Sequence, residues 1–518
     1  MYLTQGLHRA LAQKPGEVAT IFRARRHTFA ELGERVARLA GALRRIGVQP
    51  GDRVGMLALN SDRYLEYYLA VYWAGGVVNP INTRWSAAEI AYALDDCDTR
   101  LLLLDDQFAP MAVELKDRAK SLCTMIHASD GPTPQGMLAY EELIAEMDPV
   151  EDALRNGSDL AGVFYTGGTT GFPKGVMLSH ANLACNALGL LAEGVAAPGC
   201  VGLRAAPMFH LADGAFMNAM LASGATHVVI PSFTPLGVLE AVQEHGCTEA
   251  VLVPTMIQMT VDHPDVSKYR LDSMKTIVYG GSAISEAVID RASRALPNVG
   301  LVQSYGMTEC APVITILQPR YHTPQGRRLG KAQSGGRASF CTEVRIVDAQ
   351  DKPVPTGTVG EITTRGPGVM LGYWNKPEET ARALRGGWMH TGDGGYVDGE
   401  GFLFIVDRLK DMIVTGGENV YCAEVENALA KHSAVAQCAV IGVPDDRWGE
   451  RVHAVVVLKT GAQATAEELI QHCKGLIANY KCPRSAELRD ALPLSGAGKV
   501  LKSKLREPYW EGRARRVA

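Results

Sequence analysis

Leu160-Ala161-Gly162-Val163-Phe164-Tyr165-Thr166-Gly167-Gly168-Thr169-Thr170-Gly171-Phe172-Pro173-Lys174-Gly175 is the stretch from which the fold class is read. Its first five residues form a short apolar run that reads as a buried strand. The chain then enters a loop in which Gly167, Gly168 and Gly171 free the backbone to turn tightly and approach an anion. Thr166, Thr169, Thr170 and Lys174 add hydroxyl and cationic donors, so successive N–H groups can wrap a phosphate chain. The loop is not a Walker A motif, which needs Gly-Lys-Ser/Thr with the lysine opening a helix. Here Pro173 precedes the lysine and Gly175 follows it. A Gly/Thr-rich run also suits an ordinary surface loop, and this stretch alone leaves both readings open.

Working outward, apolar residues at helical spacing predict a helix over 28–46, with Thr28 and Glu31 as a capping box. A strand over 54–59, a helix over 64–74 and a strand over 101–104 follow. Tyr64, Tyr67, Tyr68 and Tyr72 stripe the second helix as packing residues. Beyond the glycine loop, a helix opens near Ser179. The runs 251–254, 276–282 and 299–303 are buried strands ending in loops, the second in glycines, as where something passes close to the backbone. Alternation of strands and helices predicts an α/β fold with largely parallel sheets covered on both faces. Three loops at strand carboxyl ends can converge on one ligand.

From about residue 340 short strands over 344–347, 360–363 and 402–406 predict a β-rich subdomain. The expected cut falls at 407–411. It leaves a large domain over 1–406 and a small, compact α+β domain over 412–518, with a helix over 422–432, strands over 436–443 and 452–459, and a helix over 466–478. The basic ending, 499–516, reads as a terminal helix broken at Pro508.

A chain of 518 residues exceeds one ordinary core. Its 47% hydrophobic and 21% charged residues, with mean hydropathy of −0.02, are those of a globular protein. A net charge of −4 argues against a nucleic-acid partner. No apolar run reaches membrane-spanning length. The start lacks a secretory layout, the end is no peroxisomal address, and eleven cysteines without a C-x-x-C pair suggest neither a disulfide framework nor structural zinc. A cytoplasmic setting is expected, and a homodimer is left open.

The ordered motifs resemble the adenylate-forming superfamily of acyl- and aryl-CoA synthetases, peptide-synthetase adenylation domains and beetle luciferases. The resemblance implies that Thr166, Gly167, Gly168, Thr169, Thr170 and Lys174 form a loop embracing the ATP phosphates, Gly167 standing where the family usually has serine. It further implies that Gly280, Gly281, Ser282 and Ala283 flank the adenine and that Tyr305 stacks on it. Thr308 would touch the α-phosphate and Glu309 hold Mg²⁺. Asp393 and Arg408 would reach the ribose. Lys410 would be the hinge residue and Gly416 and Gly417 the loop met by coenzyme A. Lys499 would be the catalytic lysine. Cys422 replaces a familiar proline. His210 matches a residue bordering the acyl tunnel, which Gly280, Met307 and Val313 would help line. In isolation, Asp393 also reads as a turn aspartate, Glu309 as a capping carboxylate and His210 as a satisfied core histidine.

The implied activity is ATP- and Mg²⁺-dependent formation of an acyl-adenylate and its transfer to coenzyme A, with rotation of the small domain between steps. A fatty or arylpropenoic acid is expected. No Arg or Lys stands in the pocket stretches to pair a second carboxylate. An enzyme loading a carrier protein in trans is the alternative within the superfamily. A nucleotide-binding regulator without turnover is the alternative outside it.

Overall fold

The computed structural model describes residues 1–166, 173–282, 284, 286–408, 411–416, 418–495 and 499–511. Two large sheets dominate. The first has nine strands, of which Val18–Phe22, Thr226–Val229, Val201–Arg204, Glu249–Val251, Thr276–Gly280 and Gly300–Gly306 run parallel, with antiparallel strands at both edges. The second has eight strands, with Leu160–Thr166 beside Val77–Pro80 and Arg53–Leu57 in its parallel part. A four-stranded antiparallel sheet carries Met389–Val397 and Leu403–Arg408. A five-stranded sheet from Ile413 onward, covered by helices, forms the C-terminal unit.

The elements follow the local code. Thr28 caps the Phe29–Arg45 helix with Glu31 completing the box, and Ser179 caps His180–Ala192. The Asp62–Ala74 helix is buried on every side, which explains its tyrosine stripe. Tyr67 donates to the Val54 carbonyl and Tyr68 to that of Met208, so two hydroxyls stay satisfied inside the core. All eleven thiols are free. Among the described residues, no helix is long and apolar enough to cross a membrane.

Three expectations need correction. Pro254 does not end a strand but opens the Pro254–Val261 helix, where its fixed φ suits the first turn. The helix expected to reach 478 stops at Lys474, with Gly475 following. Pro508 does not break the terminal helix, which runs Lys502–Trp510 through it. Tertiary contacts beyond the proline hold the last turn. Tyr509 donates to Glu487, and Trp510 Nε1 donates to the Gly442 carbonyl.

Candidate active site

The site is assembled where strand ends of the nine-stranded sheet meet the four-stranded sheet. Thr276–Gly280 ends at Gly281, whose φ of +81° favours glycine. The neighbouring strand Gly300–Gly306 presents Tyr305 and leads through Met307 into the short turn Thr308–Cys310. Tyr305 donates its hydroxyl to Asp393 Oδ2 at 2.8 Å. Asp393 lies directly opposite Arg408 in the antiparallel register, and Arg408 Nε stands 3.5 Å from Asp393 Oδ1. Burial raises the Tyr305 hydroxyl's pKa, and the Asp393 charge raises it further.

Glu309 is buried, and burial raises its carboxyl above the usual range. Its Oε1 accepts from Tyr373 at 2.8 Å. The same tyrosine ring carries Lys174 Nζ 5.3 Å from its centroid, and that ammonium pairs with Glu379 at 2.5 Å. Tyr373 therefore joins the lysine closing the glycine loop to the acidic residue, although no motif marks it or Glu379. A desolvated carboxylate whose charged form is disfavoured by burial is a fitting ligand for a hard cation.

Lys499 enters this group from the C-terminal unit. A Cβ placed on Gly281 would stand 3.0 Å from Lys499 Cε. The charges of Asp393 and Glu309 favour its protonated form, but burial and then the Arg408 charge outweigh them and lower its pKa. Its backbone is tied to Ser495, whose N–H donates to the Lys499 carbonyl at 2.7 Å. Arg84 Nη1 holds it to the large unit by donating to the Ser495 carbonyl at 2.7 Å. Arg84, too, carries no sequence signature.

His210 precedes the Leu211–Ser223 helix and accepts the Ala212 N–H on Nδ1. Burial, with the nearby Lys499 charge, pushes its pKa down to about 3, so the ring is neutral at ordinary pH. The segment before it is fastened at several points. Asn60 donates to the Ala206 carbonyl and accepts the Met208 N–H, and fully buried Arg204 grips Asp213 in the helix's first turn. Val313 is buried, and a Cβ on Gly280 would clash with the Ser304 carbonyl at 2.4 Å.

Lys174, Gly281, Tyr305, Glu309, Asp393, Arg408, His210 and Lys499 thus come together, with Thr166, Thr308, Gly280, Ser282, Met307 and Val313 on the bordering strand ends and turns. Gly416 lies apart, against Trp448, whose carbonyl accepts its N–H at 2.8 Å. Arg447 and Arg484 each stack a guanidinium on that indole. Gly167, Gly168, Thr169, Thr170, Ala283, Lys410 and Gly417 lie outside the described residues.

Comparison with known proteins gives the family. The family described as AMP-binding enzyme matches residues 7–374, and the AMP-binding enzyme C-terminal domain matches 424–499. A feruloyl-CoA synthase from Amycolatopsis sp is 41% identical over 93% of this chain and 94% of its own. The fatty acid–[acyl-carrier-protein] ligase ScoC of Streptomyces coeruleorubidus is 34% identical over 97% and 96%. The solved structure of the anthranilate CoA ligase AuaEII with anthranoyl-AMP superposes with a TM-score of 0.92 at 26% identity, covering 99% of this chain and 98% of that one. With strand-end loops, acidic pair and tail lysine gathered in one place and both family profiles matched, the chain belongs to the AMP-binding enzymes, the adenylate-forming superfamily, in its AMP-forming acyl-CoA synthetase branch.

Proposed function

We propose that the protein condenses a carboxylic acid with ATP to an acyl-adenylate and pyrophosphate, then transfers the acyl group to coenzyme A with release of AMP. The observation carrying this reading is Lys499 lying over Gly281 among Asp393, Glu309 and Arg408. A carboxylate resists thiol attack because oxide would have to leave; adenylation gives it a good leaving group. The first step gathers negative charge around the α-phosphorus, so cationic groups dominate catalysis. Lys499 offers its ammonium there, Thr308 a hydroxyl, and Lys174 faces the outer phosphates. Asp393, oriented by Tyr305 and Arg408, accepts the ribose hydroxyls. Glu309, fixed by Tyr373, is the residue that would hold Mg²⁺, and the bound ion would neutralise phosphate charge. Neutral His210 borders the acid without adding a charge beside its carboxylate.

The thiol needs the space Lys499 fills. We infer a large domain over 1–406, a hinge over 407–411 with Lys410 as its pivot, and a C-terminal domain over 412–518. Rotation at the hinge withdraws Lys499 and brings the Gly416–Gly417 loop, with Trp448, Arg447 and Arg484, toward coenzyme A. The acid is assigned to the arylpropenoic or fatty class. Similarity to the feruloyl-CoA synthase favours the former, and the apolar Met307 and Val313 surroundings admit either. A panel of ferulic, coumaric, benzoic and C6–C16 fatty acids, assayed for AMP release with ATP, Mg²⁺ and coenzyme A, tests this. Thioester should accumulate with AMP. Adenylate without thioester, relieved by a phosphopantetheinylated carrier protein, would favour carrier loading, the second reading raised by the likeness to ScoC.

A further inference from the structure

The two flanks of the 408–411 step are tied together by side chains that no adenylation chemistry requires. Asp407 belongs to the Leu403–Arg408 strand and pairs opposite Gly394, which fixes its backbone to the four-stranded sheet. Its carboxylate, however, reaches into the C-terminal unit. Oδ2 accepts the Cys422 backbone N–H at 2.6 Å, while Oδ1 takes the Arg408 N–H at 2.7 Å. Cys422 is the first residue of the Cys422–Ala430 helix, and its cap, Tyr421, makes no side-chain capping bond. Asp407 thus supplies an anion to a helix N-terminus, where the orphan donors and the helix dipole favour one.

The terminal helix completes the arrangement. Lys502 pairs with Glu426 at 2.8 Å, and its charge acts on Asp407, whose carboxyl is raised by burial. One turn later, Arg506 donates to Asp411 at 2.6 Å. Cys422 Sγ also faces the Asp411 carbonyl at 3.2 Å. Lys499 stands three residues before Lys502, so its turn and these anchors belong to one body. Any rotation between 408 and 411 carries the Arg506–Asp411 and Cys422 Sγ–Asp411 contacts along unchanged. It must break the Asp407–Cys422 bond.

We propose that Asp407 and the Cys422 amide form a latch that holds Lys499 in the adenylation pose and sets how readily the C-terminal unit leaves it. This rests on the domain alternation proposed above. The latch depends on a backbone N–H at position 422. Proline at the first position of a helix is well tolerated and has no such donor. Cys422→Pro therefore removes the latch while sparing the helix, and Cys422→Ala removes only the thiol.

The test uses the full chain. Tryptic cleavage after Arg408 reads the pose without substrate, and single-turnover conversion of supplied feruloyl- or octanoyl-adenylate with coenzyme A reads the second step. Cys422→Pro should raise both rates on the order of tenfold, the effect of losing one charge-assisted bond, and slow pyrophosphate exchange. Cys422→Ala should match the parent. If Cys422→Pro does not fold, Asp407→Asn, which keeps an acceptor but drops its charge, decides the matter with an acceleration of about threefold. Unchanged rates in the folded variant, or equal acceleration by Cys422→Ala, overturn the latch. Lys499→Ala separates the two readings. Loss of exchange alone with an unresponsive Cys422→Pro sinks only the latch; equal loss of both half-reactions sinks alternation and the latch with it.

Discussion

Lys499 rests against Gly281 so closely that one methyl group on the glycine would lie 3.0 Å from the lysine Cε. Gly281→Ala also places a side chain at φ +81°, a region costly for L-residues. Adenylation, measured as acid-dependent pyrophosphate exchange, should fall roughly 10²-fold, as when one charge-stabilising contact is lost. Conversion of supplied adenylate should fall much less. Equal losses would mean that the alanine damages the nucleotide site itself.

Arg84→Ala removes a side-chain bond from the large unit to the Ser495 carbonyl, close to Lys499. Worth about 1 kcal/mol, it should slow pyrophosphate exchange by roughly fivefold. Thioester formation from supplied adenylate should hold or rise. A drop in both would assign Arg84 to substrate binding.

Tyr305→Phe keeps the ring and deletes the donor to Asp393. The KM for ATP should rise about three- to tenfold with kcat nearly unchanged, the pattern of lost ground-state binding. A fall in kcat at constant KM would instead give the hydroxyl a place in the transition state.

Histidines should govern acid stability. Burial depresses His180 and His322 to about 4 and His210 to about 3, and it holds His227 well below the usual histidine range. Unfolded, each binds its proton near pH 6.5; folded, none does until well below that. Their stabilisation is therefore complete above pH 6.5 and is lost as pH falls toward 4, at up to about 1.4 kcal/mol per pH unit for each. Denaturant midpoints measured from pH 7.5 to 4.5 should decline accordingly. A His227→Gln variant should show a shallower decline.

Lys499 titrates in the other direction of pH. Its pKa is lowered in the nucleotide-free site, so the alkaline limb of kcat/KM for ATP should fall below the ordinary lysine range. Bound phosphates favour the ammonium, so the limb in kcat should lie higher. Identical limbs in both profiles would remove Lys499 from the titration.

Strand ends and loops of the site were legible because their chemistry is local. Glycines at 280–281, Tyr305 and Glu309 in one run, and Lys499 in its turn each sit in a stretch whose order carries the meaning. The helix start at Thr28 was legible for the same reason, since a capping box spans four residues. Tyr373, Glu379 and Arg84 were not, because each acts alone across a fold-made distance. Asn60 and the Arg204–Asp213 pair likewise support His210 from three separate elements. Cys422 read as an unexplained departure because its contribution is a backbone N–H, which no residue name other than proline withholds. Pro508 was misread because side chains beyond it, Tyr509 and Trp510, outweigh a missing helical bond.

The free thiols divide into seven before the 407–411 step and four after it, and Cys123 is the exposed member of the set. Brief treatment with an alkylating reagent should mark Cys123 at once and spare the buried majority. Mass spectrometry of the peptides under rising urea would then follow unfolding around Cys473 and Cys482 beside that around Cys200 and Cys247 in one untagged sample, and different midpoints would support the two domains proposed above.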